Sequence, residues 1–261
     1  MIEQCVEDSF NRDGMFVWPN FISPERAQRL RDLVLDMAEF EKRGGADYVY
    51  PFDPSGLTQR VWNLTNKSRE FRDILDIDDL NDMMNFIFDR PTSHQLFHLS
   101  SFQANILNSG APRQKLHIDT PFPEPIPPWP AKANSIWMLD DFTGENGATE
   151  FIRGSHIKET KPTKLDDQNC EVEIATGTCG SVLFTHGNLW HRAGANRSGA
   201  PRVGLLCSFA ASYMREIASE EDQSLIIQPN VIDQMSDRLR SIIGVGHGMK
   251  DGSLFQHESI Q

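Results

Sequence analysis

The sequence predicts a mostly β domain, an antiparallel sandwich or barrel, with helices at both ends. Three observations predict it: from Leu96 to Tyr213 the chain runs in short apolar or alternating stretches, Gly, Pro, Asn and Asp punctuate those stretches, and helical periodicity is confined to the flanks. A length of 261 residues is close to what single β domains reach, roughly 200–250, so one domain over 1–261 is expected. It divides into a helical part, 1–95, a β core, about 96–213, and a second helical part, 214–261.

In chain order, Ser23-Pro24-Glu25 reads as a helix start: an N-cap Ser, a Pro at the first helical position and an acid in the first turn. Ala27, Leu30, Val34, Met37 and Ala38 then recur at helical spacing until Gly44-Gly45 ends the run. A second helix is expected around 78–89, where Leu80, Met83, Met84, Ile87 and Phe88 give an apolar face. Strands are expected at 97–107, 135–139, 149–152, 171–174, 181–184 and 203–209. Beyond them, Val231, Met235, Leu239 and Ile242-Ile243 predict one final helix. Residues 121–130 hold six prolines that cannot donate ladder hydrogen bonds, so an extended, semi-rigid loop is expected there. Its place beside the motif described next favours a pocket-covering role over a plain surface connection.

Charge and composition exclude several classes. With 25 Lys and Arg against 37 Asp and Glu, the net charge of −12 repels polyphosphate backbones, and nucleic acid is not an expected partner. No apolar stretch approaches the roughly 18 residues of a membrane span, and Met1–Asp8 lacks a basic region followed by an apolar one. Cys5, Cys170, Cys179 and Cys207 are scattered, which predicts reduced thiols in a cytoplasmic protein. A small-molecule substrate is the expected partner, and a homodimer is left open.

His117-Ile118-Asp119 is the first chemical signal. In a strand, residues i and i+2 point to one face, so imidazole and carboxylate converge, two-thirds of the facial triad that holds Fe(II). A third ligand must come from elsewhere, and His186 and His191 both offer one. Each has an Arg eleven residues later, Arg197 and Arg202, so spacing alone leaves both open. An Arg at the start of a strand beside the metal can pair bidentately with a carboxylate. Bland readings suit the other candidates. His94 and His98 lack the Glu of a zinc-protease motif, His156 follows Gly154-Ser155 in a turn, and Asp140-Asp141 are strand neighbours facing opposite ways. Gly177-Thr178-Cys179-Gly180 is a turn without a phosphate-loop pattern.

These residues, with Gln114, the run Ile136-Trp137-Met138-Leu139-Asp140-Asp141-Phe142, Glu145-Asn146-Gly147-Ala148-Thr149, Gly154-Ser155-His156, Asn196-Arg197-Ser198 and the tail Tyr213-Met214-Arg215-Glu216, resemble the phytanoyl-CoA dioxygenase-like family of Fe(II)/2-oxoglutarate-dependent oxygenases. The resemblance implies a double-stranded β-helix, or jelly roll, as the core. It implies Fe(II) on His117, Asp119 and His191, and 2-oxoglutarate held through its distal carboxylate by Arg202. Gln114 and Thr149 would supply hydrogen bonds, and Trp137 would line the cosubstrate pocket. In one departure, some members carry a hydroxyl residue two positions after the distal His, where this chain has Ala193.

The implied reaction couples decarboxylation of 2-oxoglutarate to succinate and CO2 with O2-dependent oxidation of an unactivated C–H, most often hydroxylation. Desaturation, epoxidation and rearrangement are alternatives within the same chemistry. Halogenation is disfavoured because the carboxylate Asp119 is present. Overall acidity gives no grip for a phosphorylated carrier, so a small, partly apolar metabolite from a biosynthetic route is the expected substrate, with Phe122, Trp129, Met138 and Met214 as candidate pocket groups. A non-oxidative metal-binding isomerase or binding protein of the same fold is the rival class, and an inactive homologue another. Neither has an evident need for the carboxylate anchor.

Overall fold

The computed structural model describes residues 2–46, 48–49, 53–88, 97–214 and 225–245. Its elements run α1 (Gln4–Asp13), β1 (Met15–Trp18), α2 (Pro24–Arg43), β2 (Tyr48–Val49), β3 (Thr58–Val61), α3 (Leu64–Lys67), α4 (Arg69–Leu75) and α5 (Asp78–Ile87). Then come β4 (Phe97–Leu107), β5 (Lys132–Met138), β6 (Thr149–Phe151), α6 (Lys164–Asn169), β7 (Glu173–Ala175), β8 (Val182–His186), β9 (His191–Ala193), β10 (Arg202–Ala211), α7 (Pro229–Ile232) and α8 (Asp237–Ile242).

Two antiparallel sheets face each other as a jelly roll. The larger has the order β1-β8-β5-β10-β4-β3-β2 and the smaller β7-β6-β9. On the large sheet, β4 and β10 pair along nearly their whole length, from Arg202 opposite Leu107 to Ala211 opposite Phe97. Strand alternation then separates two faces. Phe102, Ala104 and Ile106 of β4, with Val203, Leu205, Cys207 and Phe209 of β10, join the helix-packed core. Residues at the intervening positions look inward, toward the small sheet.

Helix α2 forms as its sequence dictates. The Ser23 hydroxyl accepts from Arg26 N, Pro24 opens the helix, and Ala27, Leu30, Val34 and Ala38 bury one stripe against the outer face. Helix α5 buries Leu80, Met83, Met84 and Ile87 in the same core. Asp89, at the expected end of that helix, lies outside the described residues, as do His94, Leu96, Arg215 and Glu216.

Three expectations change. The segment 1–95 is not only helical: β1 edges the large sheet beside β8, and β3 pairs with β4 on the other side. Its four-residue strands are too short to carry a legible alternation. The final helix is two short ones, because Ser236 caps a new start by accepting from Leu239 N at 3.1 Å and donates to Asp76 at 2.7 Å. Strand β8 runs two residues past the expected end at 184, so His186 is a buried strand residue.

Candidate active site

His117 and His191 face each other across an isolated antiparallel bridge, each backbone N–H donating to the other's carbonyl at 3.0 Å. That bridge joins the segment after β4 to β9 and brings the two rings to 4.5 Å between centroids. Asp119, two residues beyond His117, is fixed by donating its N–H to Gly187 O at 2.9 Å. Gly187 is held against Lys132 so closely that a Cβ there would meet Lys132 O at 2.5 Å, so only glycine fits this approach. The Asp119 carboxylate lies 3.8 Å from His117 Nε2 and 3.5 Å from His191 Nε2. One ligand atom from each of the three residues falls within 4.8 Å of the others.

The donor chemistry fits a divalent transition metal. Nδ1 of His117 and of His191 bonds a backbone carbonyl, Lys115 O at 2.8 Å and Leu189 O at 2.9 Å, which places the proton on Nδ1 and leaves each Nε2 lone pair facing Asp119. Asn134 Nδ2 donates to Asp119 Oδ2 at 2.6 Å and orients the carboxylate. Desolvation, then the neighbouring His191, holds His117 below its ordinary pKa, so its ring is neutral at physiological pH. Two imidazoles and one carboxylate on one side are a facial donor set for Fe(II).

In the same cavity Arg202 begins β10, only 4% exposed. Its Nη2 donates to Gly147 O at 2.6 Å and its guanidinium lies 4.2 Å from the Phe142 ring, while Nε has no hydrogen-bond partner among the described residues. Burial pushes its pKa down to about 10, partly offset by Asp140. A carboxylate arriving at this guanidinium would restore the missing partner, so the site fits a dicarboxylate cosubstrate. Gln114 and Thr149 line the cavity too. Gln114 Oε1 accepts from Ala193 N at 3.0 Å, which commits its oxygen and leaves its amide donors for the cavity.

Trp137 does not belong to this site. It is fully buried on the outer face of the large sheet, its indole donating to Ser135 Oγ at 3.0 Å and its ring packed edge-on against Phe21 at 5.2 Å. Asn134 and Ile136 line the cavity, so parity along β5 turns Trp137 the other way. Phe122, Trp129, Met138 and Met214 are likewise not among the lining residues. His186 sits against His156, 5.3 Å between centroids, and Arg197 is exposed, so neither joins the His117 cluster.

Sequence reasoning missed Thr58 and Arg60 on β3, Gln103 and Asn105 on β4, and Asn134 on β5, all lining the cavity. The alternation Ser101-Phe102-Gln103-Ala104-Asn105-Ile106 was the available signal. Beside the site, Arg192 is buried between Glu150 and Asp167, at 2.6 and 2.5 Å. Asp167 also accepts from Leu116 N at 3.2 Å, tying the neighbours of both histidines to one carboxylate.

A jelly roll that gathers two histidines, a carboxylate and a buried arginine in one cavity has the form of a 2-oxoglutarate-dependent oxygenase. Residues 10–204 match the phytanoyl-CoA dioxygenase (PhyH) family, and the chain belongs to it. It is thus an oxygenase that uses Fe(II), 2-oxoglutarate and O2. The chain is 28% identical over 268 residues to the dioxygenase cdmA of Talaromyces verruculosus, covering 95% of this chain and 84% of that one. It is 27% identical over 250 residues to the dioxygenase ALT11 of Alternaria alternata, covering 92% and 80%. Among solved structures, HygX of Streptomyces hygroscopicus, with nickel and 2-oxoglutarate bound, shares the fold at a TM-score of 0.65 and 16% identity, over 83% of this chain and 90% of that one. No helix among the described residues is long and apolar enough to cross a membrane.

Proposed function

We propose that the protein hydroxylates an unactivated C–H of a small, partly apolar metabolite, with His117, Asp119 and His191 holding Fe(II) and Arg202 anchoring 2-oxoglutarate. The observation that carries this reading is the pairing of the facial donor set with a buried guanidinium in one cavity. Iron, 2-oxoglutarate and O2 together supply the oxidation, giving succinate and CO2 and leaving one oxygen atom for the substrate. The chain's own residues bind and orient. Arg202 takes the distal carboxylate on its free edge, with Phe142 behind the guanidinium. Gln114 and Thr149 hold the rest of the cosubstrate, and Asn134 keeps Asp119 aligned. Ala193, which lines the cavity without a hydroxyl, leaves Thr149, directly opposite it on β6, as the side-chain hydroxyl at that level.

The test is O2-dependent succinate formation by purified protein with Fe(II) and 2-oxoglutarate, followed by incubation of the loaded protein with a metabolite extract and mass analysis. A substrate gaining one oxygen atom supports hydroxylation, and one losing two hydrogens moves the outcome to desaturation. His117→Ala and Asp119→Ala are expected to abolish both Fe(II) binding and succinate formation, whereas His186→Ala keeps them. Wild-type iron affinity in the first two variants would overturn the ligand assignment.

A further inference from the structure

The inner face of β4 carries a polar group that nothing else among the described residues uses. Gln103 is 0% exposed, and neither Oε1 nor Nε2 has a hydrogen-bond partner among the described residues. Its backbone neighbours Phe102 and Ala104 point into the helix-packed core, so strand parity directs Gln103 inward, where it lines the same cavity as His117 and Asp119. Its partners across the sheet are apolar, Leu206 opposite on β10 and Ile136 opposite Leu206 on β5, while Ser101 and Asn105 flank it along β4. A carboxamide set in such a place, with donor and acceptor both unmet, opposes folding. A ligand that meets both removes that cost on binding.

The chemistry of the amide selects the ligand. A carboxylate offers acceptors only, so the dianionic cosubstrate could satisfy Nε2 but would face Oε1 lone pair to lone pair. Arg202 already supplies the cationic partner that a carboxylate needs. A planar donor and acceptor side by side are matched by the same pair in reverse order. An open-chain trans amide points its C=O and N–H to opposite sides, whereas a ring holds them on one side. We propose that Gln103 anchors the prime substrate, and that the substrate presents to it the C=O and N–H edge of a lactam. This rests on the reading of the cavity as the active site and adds to it the class of molecule that enters.

The probe is δ-valerolactam, titrated by ligand-observed NMR against protein loaded with Zn(II) and 2-oxoglutarate, with N-methyl-δ-valerolactam, which lacks the donor, beside it. Wild-type protein is expected to bind the lactam at least about tenfold more tightly than its N-methyl analogue. Gln103→Met, which keeps the length of the side chain, should bring the two within about twofold, and Gln103→Leu serves as the second variant. Because the amide has no partner of its own, both variants should also raise the Tm of the metal-free protein, by about 2–6 °C. Equal binding of the two lactams by the wild type overturns the proposal, as does discrimination that survives in the variants. A drop in Tm assigns Gln103 a structural role instead, and a tenfold loss of 2-oxoglutarate affinity assigns it to the cosubstrate; either overturns the proposal. Succinate formation by the wild-type iron form, measured separately, reports on the oxygenase reading, so the two can fail independently.

Discussion

Arg202 carries its charge into a place where solvent reaches 4% of it, with a carbonyl and an aromatic face against it and, among the described residues, no carboxylate paired with it. Such a guanidinium is stable in the fold but better satisfied by a dicarboxylate. Arg202→Lys keeps the charge and loses the planar fork, so the KM for 2-oxoglutarate should rise about tenfold to a hundredfold, roughly 1.5–3 kcal/mol, while Fe(II) affinity holds. Steady-state kinetics with an anaerobic Fe(II) titration checks this. An unchanged KM would move the anchor to Arg60, the other arginine lining the cavity, since Arg197 is exposed. Some of these residues were legible and others were not. The His-x-Asp spacing gave two of the cluster because strand parity is local. The choice of His191 over His186 was not in the spacing, since both carry an arginine eleven residues on; it depends on which strand each joins. Trp137 was placed by the family resemblance, and the local pattern could not correct it, because Ile136-Trp137-Met138 is apolar at every position and a strand buried on both faces shows no alternation.

At the scale of elements, the proline-rich stretch is the clearest change. Its extended form agrees with its composition, but it is tied down away from the cavity. Ile126 is buried and donates its N–H to Glu159 O at 2.7 Å, Asn188 Nδ2 donates to Pro127 O at 2.8 Å, and Lys161 N donates to Glu124 at 2.7 Å. Trp129 remains 42% exposed. The loop is therefore a fastened connector, and replacing Phe122 and Trp129 together with Ala should leave the ratio of succinate to oxidised product within about twofold. A marked rise in uncoupled succinate would restore the covering role. Helix α2 was legible because its cap, proline and stripe all agree. The short strands β1 to β3 were not, because what recruits them is the unpaired edges of β8 and β4, far away in sequence.

For the whole molecule, acid should act through a joint between the N-terminal helix and the barrel. His186 is 5% exposed, and burial, then His156, holds its pKa down at about 3. His156 Nε2 in turn bonds Asn11 O of α1 at 3.1 Å. The sign follows from linkage. The unfolded chain binds a proton at His186 near pH 6.5 and the folded chain does not until about 3, so stability is full above about 6.5 and is lost as pH falls through that window. The loss attributable to this group should reach about 2 kcal/mol by pH 5. Denaturation midpoints at pH 7 and 5 should differ accordingly, and His186→Asn, which retains an acceptor for the Asn188 N–H, should narrow the difference. An equally steep pH dependence in that variant would place the acid sensitivity elsewhere.

The small sheet has one more consequence. Its strands are three residues each, and the His117–His191 bridge is an isolated pair beside it. So little ladder gives weak resistance to local opening, whereas the large sheet is braced by a helix-packed core. Coordination by His117, Asp119 and His191 would rivet that opening shut. Amide hydrogen exchange should therefore slow in β6, β7, β9 and at His117 when Ni(II) is added, by a factor that grows with metal concentration, and change little in β4 and β10.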